Sequence, residues 1–180
     1  MNIQIKDVTM ENIGDLMVPA CAPSLDNPNH ARTLKEGGLR KKEWISKALQ
    51  KYGCCAKVAL LEGKPVGFIE FYPMSAFPLL PKRDKRTLLI TCILVHNRAL
   101  QKMGIGSMLV HALIDDLKQR SLVTFNGQRA EEVAIGSWGC RTGFPESLPR
   151  FRKFFLKNGF VEDQKFPDPT GKGGILVYRL

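Results

Sequence analysis

The segment whose residue types and spacing could do chemistry is Gln101-Lys102-Met103-Gly104-Ile105-Gly106-Ser107. Two glycines open an apolar run, Ile105, Met108, Leu109, Ala112, Leu113 and Leu117, whose spacing predicts an amphipathic helix ending near Arg120. The first amides of a helix have no acceptor within it, and the aligned peptide dipoles make that end positive. Glycines let an anion approach the backbone without meeting a Cβ, and Lys102 adds a charge at the rim. The chemistry expected is a diphosphate bound over residues 101 to 107. The segment is not a nucleotide P-loop, because no Gly-Lys-Ser/Thr follows. Nor is it the dinucleotide fingerprint, because the third glycine is missing and the preceding strand lies mid-chain.

The elements that must position this segment follow from hydrophobic periodicity. Arg86 to His96 reads as a strand, apolar on both parities and so expected to be buried on both faces. Glu132 to Ser137 is the next strand, so strand, helix and strand form a βαβ unit with parallel strands. Upstream, Ile3, Ile5 and Val8 suggest a first strand, and Thr9 stands where a helix N-cap belongs, before Ile13, Leu16 and Met17. Residues 19 to 38 hold three prolines and Gly37-Gly38 and read as a loop with room for a helical turn; a second helix is expected from Leu39, with Ile45, Ala48, Leu49 and Tyr52 on one side and Gly53 as terminator. Cys55 to Leu61 and Pro65 to Tyr72 read as a hairpin turning at Glu62-Gly63-Lys64. Lys82-Arg83-Asp84-Lys85-Arg86 reads as an exposed basic loop. A helix from Ser147 or Leu148 to Gly159 is expected, then strands Phe160 to Phe166 and Gly174 to Leu180, with a turn at Asp168-Pro169-Thr170-Gly171. The result is an α/β chain around a mixed sheet, with no repeat or dividing linker, read as a single domain over residues 1–180.

Composition sets the outer bounds. Hydrophobic residues at 44% and charged residues at 24% suit a folded chain and exclude disordered, collagen-like and disulfide-scaffold classes. No run of eighteen apolar residues is present, so no membrane partner is expected. The first residues lack the pattern of a secretory signal, and the odd set Cys21, Cys54, Cys55, Cys92 and Cys140 reads as reduced, so a cytoplasmic location is expected. His30, His96 and His111 lie at no metal-ligand spacing, so no metal is expected. The formal charge of +10 would attract nucleic acid or other polyanions. Without a recognition helix or aromatic-basic interleaving, a solvated basic surface is the expectation and no nucleic-acid partner is inferred.

The chain resembles the GNAT superfamily of N-acetyltransferases. Gln101 to Gly106 fits that family's pyrophosphate loop, [Gln/Arg]-x-x-Gly-x-[Gly/Ala]. Gly63-Lys64-Pro65-Val66-Gly67 is similar to its Gly-x-x-Val-Gly hairpin, and Phe154-Phe155-Leu156-Lys157-Asn158-Gly159-Phe160 to its late helix ending in Gly-Phe. Tyr52-Gly53 and Phe71-Tyr72-Pro73 resemble an uncharacterised prokaryotic subgroup. The resemblance implies a GNAT-like acyl-CoA N-acyltransferase fold, a central mixed sheet with splayed strands flanked by helices. It implies acetyl-CoA as cosubstrate, its pantetheine arm pairing with the backbone of Ile93, Leu94 and Val95 and its diphosphate held by Gln101, Lys102, Met103, Gly104, Ile105, Gly106 and Ser107. Val95 to Gly104 is one residue longer than the family's usual spacing, which places an insertion at His96 to Leu100. The reaction implied is direct acetyl transfer from the thioester to a primary amine of a small molecule or protein. Such an amine has a pKa of about 10.4, so its neutral form at pH 7 is rarer by about three decades and a proton acceptor helps.

The family's usual proton carriers are absent. The late-helix position that often holds a Tyr acid is Phe155, and the central strand offers Leu89 and Thr91 where a base is common. Three candidates remain: Glu70, an acid on an apolar strand, with an ion pair to a Lys as its structural alternative; His96 at the strand end; and Cys140, which could carry an acetyl group. These absences also support a second reading, a non-catalytic acyl-CoA-binding regulatory module. Many members of the family dimerise; the chain carries no signal that decides whether this one is a homodimer.

Overall fold

Thr87 to Ile90 is the stretch around which the sheet is built, because an unbroken β-branched and leucine run is stable only where both faces are covered. In the computed structural model, residues 2–20, 28–80, 82–83, 85–96, 98–119, 128–136, 148–165 and 174–180 are described. The strands are β1 (Ile3–Asp7), β2 (Ala56–Leu61), β3 (Lys64–Pro73), β4 (Thr87–Val95), β5 (Glu132–Gly136), β6 (Val161–Glu162) and β7 (Ile175–Arg179). The helices are α1 (Ile13–Ala20), α2 (Pro28–Tyr52), α3 (Arg98–Gln101), α4 (Ile105–Gln119) and α5 (Leu148–Lys157). The seven strands form one sheet in the order β1-β2-β3-β4-β5-β7-β6. The chain divides into two compact units, residues 1–70 with 93–113, and 71–92 with 114–180.

In the first unit β1 pairs antiparallel with β2, and β2 with β3. The turn between β2 and β3 uses Glu62 (φ 49°) and Gly63 (φ 80°), two successive left-handed residues that match the twist of a hairpin. Val8, Leu16, Ile45, Ala48, Val58, Ala59, Phe68, Ile105 and Leu109 are buried. The buried Lys57 ammonium lies 2.5 Å from Asp7 Oδ1. Two expectations change here. Thr9 caps a turn rather than a helix: its hydroxyl accepts the Glu11 and Asn12 N–H groups, Asn12 Oδ1 accepts the Thr9 N–H, and α1 begins at Ile13. The expected loop at 19 to 38 is mostly helix, since α1 runs to Ala20 and α2 starts at Pro28. Proline suits a first helical turn, the following residues are mostly helix formers, and an interior glycine costs only about 1 kcal/mol against Ala.

In the second unit β4 runs parallel to β5 with Thr87 opposite Glu132 and Ile90 opposite Ile135, as the βαβ reading requires. β7 returns antiparallel beside β5, leaving β6 outermost. The β6 strand is shorter than the expected Phe160 to Phe166, of which Phe166 lies outside the described residues, as does the turn at 168 to 171. Met74, Leu89, Ala134, Ile175 and Val177 form one buried cluster, joined by Phe77 and Leu80. The rings of Phe151, Phe154 and Phe160 each meet Phe155 edge to face.

The segment expected as an exposed basic loop contains a buried clasp. Arg83 donates to Glu132 Oε1 at 2.5 Å and to Asp163 Oδ2, and Thr87 Oγ1 donates to the same Glu132 oxygen at 2.7 Å. A guanidinium has donors for two carboxylates at once, which is why this member of the run turns inward. Burial alone would raise the Asp163 pKa; the Arg83 hydrogen bond, the Lys165 backbone N–H and both positive charges more than reverse this, and hold it below the usual carboxylate range. That contribution is complete above the unfolded value of about 3.9 and is lost as pH falls through the lower folded value. Arg83→Met should lower stability at pH 7 by about 3 kcal/mol, the lower end for orphaning buried charges. Urea denaturation checks this; a loss within about 0.5 kcal/mol, typical of a surface change, would contradict it.

Candidate functional site

The site begins where β4 leaves the core. Thr87 to Ile90 are buried, whereas Thr91 to Val95 are partly open and Leu94 is 38% exposed, so the expected burial of both faces holds for only the first half. What fixes the open half is the Val66-Gly67 pair of β3. Gly67 stands opposite Ala59 and Pro65 opposite Leu60, so Val66 is the extra residue of a bulge. Its carbonyl accepts the His96 N–H at 2.9 Å. At Gly67 an added Cβ would lie 2.8 Å from the Leu94 carbonyl oxygen. The Gly-x-x-Val-Gly pattern thus has two physical jobs, a left-handed turn at Gly63 and a close strand approach at Gly67.

The chain then passes through α3, a single turn not expected from the sequence, which overlaps the stretch from His96 to Leu100. Gln101 Nε2 donates to the Val95 carbonyl at 3.2 Å, tying the loop back to the strand end. Met103 N–H bonds to Leu100 O, and Gly104 takes φ +77° with open space around its missing Cβ. The first backbone bond into α4 runs from Met108 N–H to Gly104 O at 3.0 Å. The amides of Ile105, Gly106 and Ser107 therefore precede the helical ladder. Lys102, Met103 and Gly104 are exposed beside them. This is a shape an anion fits: amides at a positive helix end, beside a glycine with open space around its missing Cβ.

The three candidates for proton transfer do not come together. Glu70 is buried on β3 with Lys41 Nζ of α2 2.5 Å from its Oε1, and that ammonium also lies 4.8 Å from the centre of the Phe68 ring. Burial pushes the Glu70 pKa up, and the Lys41 charge and hydrogen bond work the other way. The structural alternative weighed for Glu70 is therefore the arrangement found. Lys41 was missed, although it lies four residues before Ile45 and seven before Ala48, on the apolar stripe of its helix. His96 is exposed at the end of β4, with its backbone N–H held by Val66. Cys140 lies outside the described residues, as does Cys21. Burial, with neighbouring negative groups, pushes the Cys54 and Cys55 thiols up to about 12, far from thiolate chemistry at neutral pH. Phe155, at the late-helix acid position, is fully buried. Among the described residues no cluster of His, Cys, Asp or Glu could hold a metal ion, and no helix is long and apolar enough to cross a membrane.

Comparison with known proteins gives these features a family. The model of the acetyltransferase (GNAT) family matches residues 23–144, and the chain belongs to that family. Comparison with curated proteins gives no match. Among solved structures, the chain is similar to PaiA N-acetyltransferase from Thermoplasma acidophilum in complex with coenzyme A, at 16% identity and a TM-score of 0.62, covering 100% of both chains. It is similar to a GNAT-family acetyltransferase from Streptococcus pneumoniae at 12% identity and TM-score 0.60, covering 99% of this chain and 100% of that one. It is also similar to a chain of the NatC complex bound to Gag peptide and coenzyme A, at 13% identity and TM-score 0.56, covering 100% and 99%. The fold is that of the GNAT acyltransferases, a mixed sheet flanked by helices, as the sequence led one to expect.

Gly67→Ala should destabilise the protein by about 1–3 kcal/mol, because the new Cβ meets backbone oxygen rather than a movable side chain. Gly37→Ala, at a helical glycine with open space around it, should be neutral or slightly stabilising. Thermal unfolding of both variants checks the pair, and equal midpoints would contradict the close approach.

Proposed function

We propose that the protein is an acetyl-CoA-dependent N-acetyltransferase that moves an acetyl group directly from the thioester to a primary amine of a small molecule or a protein. The observation that carries this reading is the Gly104 turn: an open left-handed glycine heading α4, with three amides ahead of the helical ladder, in a chain of the GNAT family. The coenzyme A in the PaiA and NatC structures supports the same donor here. Acetyl-CoA supplies an activated carbonyl: the amine nitrogen bonds to its carbon, the carbon–sulfur bond breaks, the amine proton goes to a base or water, and the thiolate leaves and is protonated.

The chain's own part is to bind and orient. The amides of Ile105, Gly106 and Ser107 and the Lys102 ammonium would hold the diphosphate, with Met103 and Gly104 forming the turn beneath it. Gln101 contributes by fixing the loop to Val95, and the backbone of Ile93, Leu94 and Val95 would pair with the pantetheine arm. A backbone N–H at Val95 or a neighbour would polarise the carbonyl. The Lys41 pair supports a structural role for Glu70, and leaves exposed His96 or water to take the amine proton. Phe155, buried where a proton donor is usual in the family, favours one second reading, an acyl-CoA-binding module without turnover.

Free-thiol release from acetyl-CoA across a panel of amines separates the two readings. Amine-dependent release supports the transferase; binding without release supports the module. Gly104→Glu should abolish the stabilisation that acetyl-CoA gives to thermal unfolding, whereas Gly104→Ala should keep most of it at a cost of about 1 kcal/mol in fold stability. An unchanged shift in Gly104→Glu would put the donor elsewhere. Cys140→Ser should retain full turnover, as direct transfer requires; a loss of turnover with a trapped acetyl-enzyme in the unmodified protein would contradict it.

A further inference from the structure

The end of β4 is held from both edges at a single peptide. The His96 N–H bonds to the Val66 carbonyl on β3 at 2.9 Å, so this peptide turns its N–H towards β3. Across a trans peptide the carbonyl points the opposite way, so the Val95 carbonyl turns to the other edge. There it accepts Gln101 Nε2 at 3.2 Å. The Leu94 carbonyl lies against β3, its oxygen 2.8 Å from where a Gly67 Cβ would stand, with the Val95 Cα 3.4 Å from the same point. By the same trans geometry the Val95 N–H turns away from β3.

In a strand the N–H and carbonyl of one residue share an edge, and alternate residues repeat it. Ile93 and Val95 therefore face the edge away from β3, with Leu94 between them turned to β3. Among the described residues β5 pairs with β4 from Thr87 to Ile90, before this stretch begins. The edge at 93–95 thus presents the Ile93 N–H, the Ile93 carbonyl and the Val95 N–H, while the Val95 carbonyl is occupied by the Gln101 amide. Pantetheine carries amide groups, which pair with such an edge as a strand would. A further open acceptor at Val95 would admit a second register, because pairing slips where the edge does not specify it. Slippage carries the thioester along the strand and away from the N–H that polarises it.

We propose that Gln101 is a positioning residue for acetyl transfer: its side-chain amide occupies the Val95 carbonyl and so fixes the register in which the pantetheine arm pairs with β4. This rests on the acetyl-CoA reading and deepens it, giving the Gln101 side chain a part in placing the thioester as well as in shaping the loop.

The test compares Gln101→Met with Lys102→Met. Methionine keeps the length of the glutamine side chain and removes its donor, and both positions are exposed, so both variants should fold. Acetyl-CoA isotopically labelled at the thioester carbonyl is bound to each protein and followed by infrared difference spectroscopy. In the unmodified protein the carbonyl should give a single band, lowered from its position in free acetyl-CoA by the polarising N–H. In Gln101→Met the band should split or return towards the free position. In Lys102→Met it should stay, while acetyl-CoA affinity falls by about threefold or more with the loss of a charge beside the diphosphate. With an amine that the unmodified protein acetylates, Gln101→Met should lower kcat by about tenfold and leave the KM for acetyl-CoA within about threefold, the pattern of a misplaced donor rather than a weakly held one. An unmoved band in Gln101→Met, the same change of band in Lys102→Met, or a raised KM with unchanged kcat would overturn the proposal. Failure of the donor reading is seen separately, as absence of acetyl-CoA binding to the unmodified protein by calorimetry. A lowered band without turnover of any amine would overturn transfer alone, and the band in Gln101→Met would still decide the register.

Discussion

The constraint on which the site depends is the meeting of β3 with the end of β4. The His96 N–H reaches the Val66 carbonyl only because a bulge takes Val66 out of its pairing with β2. Leu94 reaches β3 only because position 67 has no Cβ. Those two backbone facts set where β4 ends. The Gln101 amide then measures the loop from the same place, by bonding to Val95. With the strand end and loop fixed, the Gly104 turn delivers α4 with three amides leading. None of this uses a reactive side chain. A site made of backbone tolerates wide variation in sequence, which agrees with fold similarity persisting at 16% identity or below in the structures compared.

Buried charge plays a separate part in each unit. In the first, Lys41 and Glu70 pair where both would be costly alone, and they tie α2 to β3. In the second, Arg83 joins Glu132 on β5 to Asp163 just after β6, and the Thr87 hydroxyl completes the set on β4. Breaking such a pair costs more than its net contribution, because the survivor is left charged in a poor solvent. Each pair therefore specifies which elements meet more than it adds net stability. The Glu70 carboxylate is committed to Lys41 in this way, while burial still holds its pKa above the usual carboxylate range.

How much of this was legible in the sequence varies with the physics involved. The βαβ core, the hairpin at Glu62-Gly63 and the helix stop at Gly53 were readable, because periodicity and left-handed glycines act over a few residues. The Gly104 turn was readable for the same reason. The start of α2 was not, because three prolines and two glycines outweighed the helix formers between them, and Pro28 suits a first turn. The clasp at Arg83 was hidden in a basic run; its partners lie 49 and 80 residues away, and no local pattern marks a long-range ion pair. The open second half of β4 was hidden by its own apolar sequence, since residues that suit a core also occupy a partly exposed strand end. Lys41 had a local signal, a charge on an apolar helical stripe, and could have been found.

The most direct test of the central claim is calorimetric titration of the unmodified protein with acetyl-CoA, alongside coenzyme A. The account predicts that both bind with micromolar affinity, since the contacts proposed at residues 93–95 and 101–107 would be made to parts the two molecules share. Absence of binding by either would contradict it, and would leave the Gly104 turn as a feature of the fold without a ligand.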